Sequence, residues 1–117
     1  MGVPLYRTKA EFFRTLGHPA RIRILELLSE RDHAVHELLD QIAIEPSNLS
    51  QQLAVLRRTS LVESRRDGTE VLYSVSVPEV RDLLRSARTI LTTLADSRSD
   101  FEDDLVVDRG ETPDRVG

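Results

Sequence analysis

Apolar residues keep helical time along the first third of the chain. Ala10, Phe12, Phe13 and Leu16 recur at helical steps within roughly Thr8–Leu16, and Gly17 supplies a stop. Pro19 suits the first turn of a second helix, where its missing N–H does no harm. Ile22, Leu25 and Leu28 share one side of that helix, with Ile24 and Leu27 beside them, so deep packing is expected. After a break at Arg31–Asp32, "HAVHELLDQIAI" places Val35, Leu38, Leu39 and Ile42 on one face of a short third helix. In a fourth, Leu49, Leu53 and Leu56 form the buried stripe, and Ser47 after Pro46 is the expected N-cap.

The period then shortens. "LVESRRDGTEVLYSVS" holds Asp67-Gly68, a hairpin turn dipeptide, between Leu61–Arg65 and Val71–Val75. Val71, Tyr73 and Val75 alternate with Leu72 and Ser74, and valine and tyrosine favour strands. Pro78 opens a last helix carrying Val80, Leu83, Leu84, Ala87, Ile90, Leu91 and Leu94. The order α-α-α-α-β-β-α is mainly α with a small β-hairpin, a winged helix-turn-helix. Residues 1–97 read as one DNA-binding and dimerisation domain, and 98–117 as an acidic, disordered tail. Within that tail "FEDDLVVD" is apolar enough to prolong or follow the helix.

Composition narrows the choice of chemistry. With 117 residues the chain has room for one good core. The absence of cysteine removes disulfides, thiolate metal sites and cysteine nucleophiles. Neither "MGVPLYRTKAEFF" nor any later stretch has the apolar length of a signal peptide or of a span of about 20 residues, so the cytoplasm is expected. No Gly-rich phosphate loop and no supported Ser/His/Asp set is present, so an enzyme is not expected. Taken alone, the net charge of −4 argues against DNA. From Asp96 onward, however, eight carboxylates face three arginines, a balance of −5 that leaves residues 1–95 at +1. A basic face, which is what DNA requires, remains available.

The fourth helix supplies the chemistry. Ser47, Asn48, Ser50, Gln51 and Gln52 are uncharged hydrogen-bonding groups near a helix start, the side chains that read base edges in a major groove. Arg57 and Arg58 follow about two turns later as phosphate clamps. Arg65, Arg66 and Thr69 of the hairpin would reach the DNA backbone or the adjacent minor groove. Simple surface ion pairs, Arg57 with Glu63 or Arg66 with Glu70, are the competing explanation.

"LGHPARIRILELL", "SNLSQQLAVLRRTSLV" and "RRDGTEVLYSV" together resemble the ArsR/SmtB family of bacterial winged-helix repressors over roughly residues 8 to 95. The resemblance implies a homodimeric repressor of operator DNA, often released by an inducer. It agrees with the apolar stripe of the last helix, too long for one small core. Leu83, Ala87, Ile90, Leu91 and Leu94, with Phe12 and Phe13 of the first helix, are the expected dimer interface. Metal-sensing members carry cysteines on the third helix or Asp/His sets on the last. Here the third-helix positions are Ala34, Val35 and His36, and the last helix has no histidine. Thiol-based sensing is therefore excluded. His33 and His36, read as one side of the third helix near Glu37 and Asp40, offer a site for Ni²⁺ or Zn²⁺ as an effector, with His18 a further donor, against the plainer reading that His33 caps or precedes the helix and His36 is an exposed residue. The rival functional reading is a winged-helix interaction module that needs a protein co-regulator to act on DNA.

Overall fold

Pro19 shapes the chain on both sides of itself. A residue before proline is pushed out of the α region, and His18 is extended (φ −129°, ψ 121°). The first helix, α1 (Leu5–Leu16), therefore closes at Gly17, and α2 (Pro19–Glu30) begins at the proline. α1 starts earlier than its apolar spacing indicates, directly after Pro4. The computed structural model describes residues 2–104, with side chains described through residue 98.

The third element departs from expectation. His33–Ala34 is a short strand, β1, and α3 covers only Val35–Gln41. β1 pairs antiparallel with β3 (Glu70–Val75), His33 opposite Tyr73 and Ala34 opposite Leu72. β3 also pairs with β2 (Val62–Asp67), so the wing is a three-stranded sheet of order β1-β3-β2. The element order gains a strand between the second and third helices. Glu37 fixes this corner. Its carboxylate accepts the Ala34 N–H at 2.8 Å and faces Arg31 at 3.2 Å. Those two bonds, the backbone one first, hold the Glu37 carboxyl below its ordinary pKa.

α4 (Pro46–Arg58) starts two residues before the place expected from a Ser47 cap. Pro46 is itself helical and Glu45 is the N-cap, so Ser47 lies inside the first turn. A proline at the first helical position wastes no donor, which displaces the cap upstream. At the other end the chain makes a Schellman turn: Leu61 N–H donates to the Leu56 carbonyl and Ser60 N–H to the Arg57 carbonyl, both at 3.0 Å. Ser60 occupies the left-handed position (φ 64°) that glycine usually fills. Ser60→Gly is therefore expected to stabilise the fold by about 0.5–1 kcal/mol, read as a rise in thermal midpoint.

The turn aims the chain into β2. Asp67 pairs with Glu70, so the two-residue loop is Gly68-Thr69, one residue later than the Asp67-Gly68 expected. Only Gly68 has positive φ (67°) in this loop, as a type II′ connection requires. The core lies beneath: Ile24, Leu25, Leu27 and Leu28 of α2, Leu38 of α3, and Leu49, Leu53 and Leu56 of α4 are buried. α4 packs on α2 and on β2.

The last helix, α5 (Glu79–Asp104), runs past the boundary expected at residue 97. The sequence holds no glycine or proline from there until Gly110, so nothing stops it locally. The disorder expected of the remaining tail, residues 105–117, lies outside the described residues. The chain divides after Arg81 into two units.

Candidate nucleic-acid interface

The buried stripe of α4 decides which polar side chains remain outside. Leu49, Leu53 and Leu56 face the core, and so does Gln52, 7% exposed. Ser47, Asn48, Ser50 and Gln51 are exposed, as are Arg57 and Arg58. Ser47, Gln51 and Arg58 follow one line along the helix, with Ser50 and Arg57 beside it. No acidic residue interrupts this edge. The two arginines also sit in the last turn, where cations complement the helix dipole.

Gln52 corrects the expected reading edge. It lies three residues after Leu49 and four before Leu56, which places it in the stripe and not opposite it. Its amide is committed within the protein. Oε1 accepts from Arg21 Nε at 2.8 Å, and Nε2 donates to Asn48 Oδ1 at 2.8 Å. Arg21 Nη1 also donates to the Thr15 carbonyl at 3.0 Å, so Arg21 ties α4 to the end of α1. Sequence reasoning passes over Arg21, because its partner lies 31 residues away and no spacing rule connects them.

The wing divides the paired arginines. Successive strand residues point to opposite faces. Arg65 turns towards the residue before β1, donating to Asp32 Oδ2 at 2.5 Å. Arg65 stays exposed but is engaged in this surface ion pair, which sets it apart from its neighbour Arg66. Arg66 is exposed, and among the described residues it forms no ion pair; the same holds for Arg57 and Arg58. The competing pairs Arg57–Glu63 and Arg66–Glu70 are not formed. Thr69 is exposed at the tip, but Asp67 and Glu70 stand opposite each other beside it. Two carboxylates there oppose an anion, whereas Arg66 stands opposite the uncharged Val71.

The histidines do not converge. His33 belongs to β1, not to the third helix; the residue is 3% exposed and Nδ1 bonds the Arg31 carbonyl at 2.8 Å. His36 is on the surface, with Nδ1 3.5 Å from Glu70 Oε1. His18 caps α2, its Nδ1 accepting the Ala20 N–H at 3.2 Å. Glu37 is occupied as a cap. Among the described residues no group of three or more histidines or carboxylates is placed to share one ion. The donor set therefore does not fit a metal of three or four protein ligands within one chain.

Exposed apolar side chains lie elsewhere. On α1 they are Val3 just before the helix, Leu5, Tyr6 and Phe13, with Phe12 half-buried and edge-on to Phe13. On α5 they are Ile90, Leu91 and Leu94; Ala87 is exposed and Leu83 half-buried. Leu83, Ala87, Ile90, Leu91 and Leu94 share one helix face by spacing. Among the described residues no helix is long and apolar enough to cross a membrane.

Known proteins share this arrangement. The model of the bacterial regulatory protein ArsR family matches residues 18–64, from the His18 cap into β2. An uncharacterized HTH-type transcriptional regulator of Mycobacterium tuberculosis, Rv0081, is 54% identical over 103 residues, covering 87% of this chain and 90% of that protein. Its crystal structure superposes with a TM-score of 0.76 at 55% identity over 84% of this chain and 99% of the other. A biofilm growth-associated repressor of Xylella fastidiosa is 37% identical, covering 72% of this chain and 74% of its own length. The homodimeric winged helix-turn-helix DNA-binding domain of Mycobacterium bovis Mb0332 matches with a TM-score of 0.63 at 26% identity, over 83% of this chain and 86% of that one.

Proposed function

Because the chain belongs to the ArsR family of bacterial regulatory proteins, and is thus a DNA-binding transcriptional regulator and not an enzyme, we propose that it acts as a homodimeric repressor. Each protomer lays α4 in the major groove of operator DNA, and the wing follows the backbone. One observation carries this reading: the exposed edge of α4 is free of acids from Ser47 to Arg58 and ends in two cations unpaired among the described residues. A helix facing only water has no reason to exclude carboxylates. Groove insertion gives one, since each would meet phosphate charge. Ser50 and Gln51 contribute base contacts, Arg57, Arg58 and Arg66 phosphate contacts.

The roles separate by their dependence on salt. Replacing Arg57, Arg58 and Arg66 together by alanine is expected to weaken binding to all sequences. The slope of log K against log salt should flatten by roughly 0.9 for each phosphate that is no longer neutralised. Gln51→Ala should instead lower preference for the operator and leave the slope unchanged. Fluorescence anisotropy on DNA from the protein's own promoter region, with the protein alone, measures both. No shift by the native protein without a partner would favour the co-regulator reading, and an unchanged slope in the arginine variant removes the clamp assignment.

A further inference from the structure

We infer that Arg21 and Gln52 are positioning residues that set the hydrogen-bond polarity of Asn48 at the DNA edge of α4, so that Asn48 donates to base acceptors and selects guanine over adenine. The inference rests on α4 entering the major groove and goes beyond it by assigning a base preference to one side chain.

The order begins at a group that cannot be reversed. A guanidinium carries donors and no acceptor. Arg21 spends Nη1 on the Thr15 carbonyl and presents Nε to Gln52 at 2.8 Å. The Gln52 side chain must therefore turn its oxygen to Arg21. Its NH2 is left towards Asn48, and it donates to Oδ1 at 2.8 Å. Gln52 is buried, so a flipped amide would set donor against donor where water does not replace the missing bond. Asn48 inherits the orientation. Its oxygen is drawn back to Gln52, and its NH2 is left for the exposed side.

This changes what Asn48 can read. A freely turning asparagine pairs with adenine through both ends of the amide, accepting from N6 and donating to N7. With the oxygen held inward, the two amide hydrogens are what remain. The base edge that answers two donors is guanine, with acceptors at N7 and O6.

Selection of binding sites from randomised duplex DNA by the full chain tests the inference. Asn48→Ala identifies the base position that depends on Asn48. There the native chain should favour guanine over adenine by about ten-fold. Gln52→Glu keeps an acceptor for Arg21 but has no donor for Asn48. Asn48 should then turn over and expose its oxygen, moving the preference to bases that donate, cytosine or adenine. Arg21→Met should flatten the preference without inverting it. A merely structural role for the buried pair would lower affinity for every sequence equally and shift no base.

The inference is overturned if guanine is not preferred at the Asn48-dependent position, or if a folded Gln52→Glu variant keeps the native preference. The first criterion uses no substitution in the buried pair, so it stands even where that variant fails to fold, as circular dichroism would show. If Asn48→Ala, Ser50→Ala and Gln51→Ala all leave the selected sequences unchanged, the groove reading of α4 itself fails. If Gln51→Ala alters them and the Asn48 and Gln52 variants do not, only the relay fails.

Discussion

Replacing Ile90 and Leu94 together by aspartate is expected to leave a monomer at micromolar concentration and to weaken operator binding by about 10²–10⁴-fold. Both side chains are more than half exposed, 58% and 53%, so the substitutions remove no buried core of their own unit. They lie on one face with Leu91, itself 49% exposed. Completing the burial of these three aliphatics on both protomers would contribute roughly 5–9 kcal/mol. Association alone costs about 4–15 kcal/mol. The interface expected on α5 alone is therefore marginal, and the exposed Leu5, Tyr6 and Phe13 of α1 are the expected further contributors. A two-fold dimer presents two recognition helices about 34 Å apart, matching successive major grooves. A monomer lacks the second helix as a tethered partner, which sets the size of the expected loss. Sedimentation equilibrium and anisotropy on one preparation measure both effects. A variant that stays dimeric, or a monomer that binds the operator with native affinity, would contradict the assignment.

Local signals in the sequence are enough for elements whose causes are local. Pro19 and Gly17 place the junction of the first two helices, and the leucines of α4 mark its buried face. Gly68 marks the hairpin, although its loop lies one residue later than the dipeptide rule indicates, because pairing of Asp67 with Glu70 decides the register. The departures share a different origin. β1 has only two residues, too few to carry any periodic signal, and forms because β3 offers an open edge. That edge takes His33 out of a helix surface and into the sheet, which dissolves the histidine pair. Arg65 and Arg66 look equivalent because they are neighbours in sequence, yet Asp32, 33 residues before Arg65, draws that one away. Gln52 is legible, since its spacing from Leu49 and Leu56 already places it inward. Its chemical identity, an amide among serines and asparagine, points to the reading edge, and position wins over identity. Periodicity on α4 therefore governs polar residues as strictly as apolar ones.

Leu49→Ala is expected to destabilise the fold by about 2–5 kcal/mol, while Ser50→Ala next to it should change stability by less than about 0.5 kcal/mol. Leu49 is fully buried, 0% exposed, in the stripe that holds α4 on α2, and truncation leaves a cavity that neighbouring aliphatics fill only in part. Such a loss is a large share of the roughly 5–15 kcal/mol by which domains of this size are stable. Both variants should bind operator less well, for opposite reasons. Ser50→Ala removes a polar group from the exposed edge and leaves the helix in place, so its defect persists at every temperature and in excess DNA. Leu49→Ala leaves every DNA-facing group intact but lowers the folded population, so its defect should shrink on cooling and as DNA draws the chain back to the folded state. Thermal melts at one fixed protein concentration, paired with anisotropy at two temperatures, separate the cases. A Leu49→Ala protein that melts like the native chain would mean that α4 is held by the Arg21–Gln52 bond and not by its leucines. In that event Arg21→Met, which removes that bond and leaves the leucines, should carry the larger loss of stability.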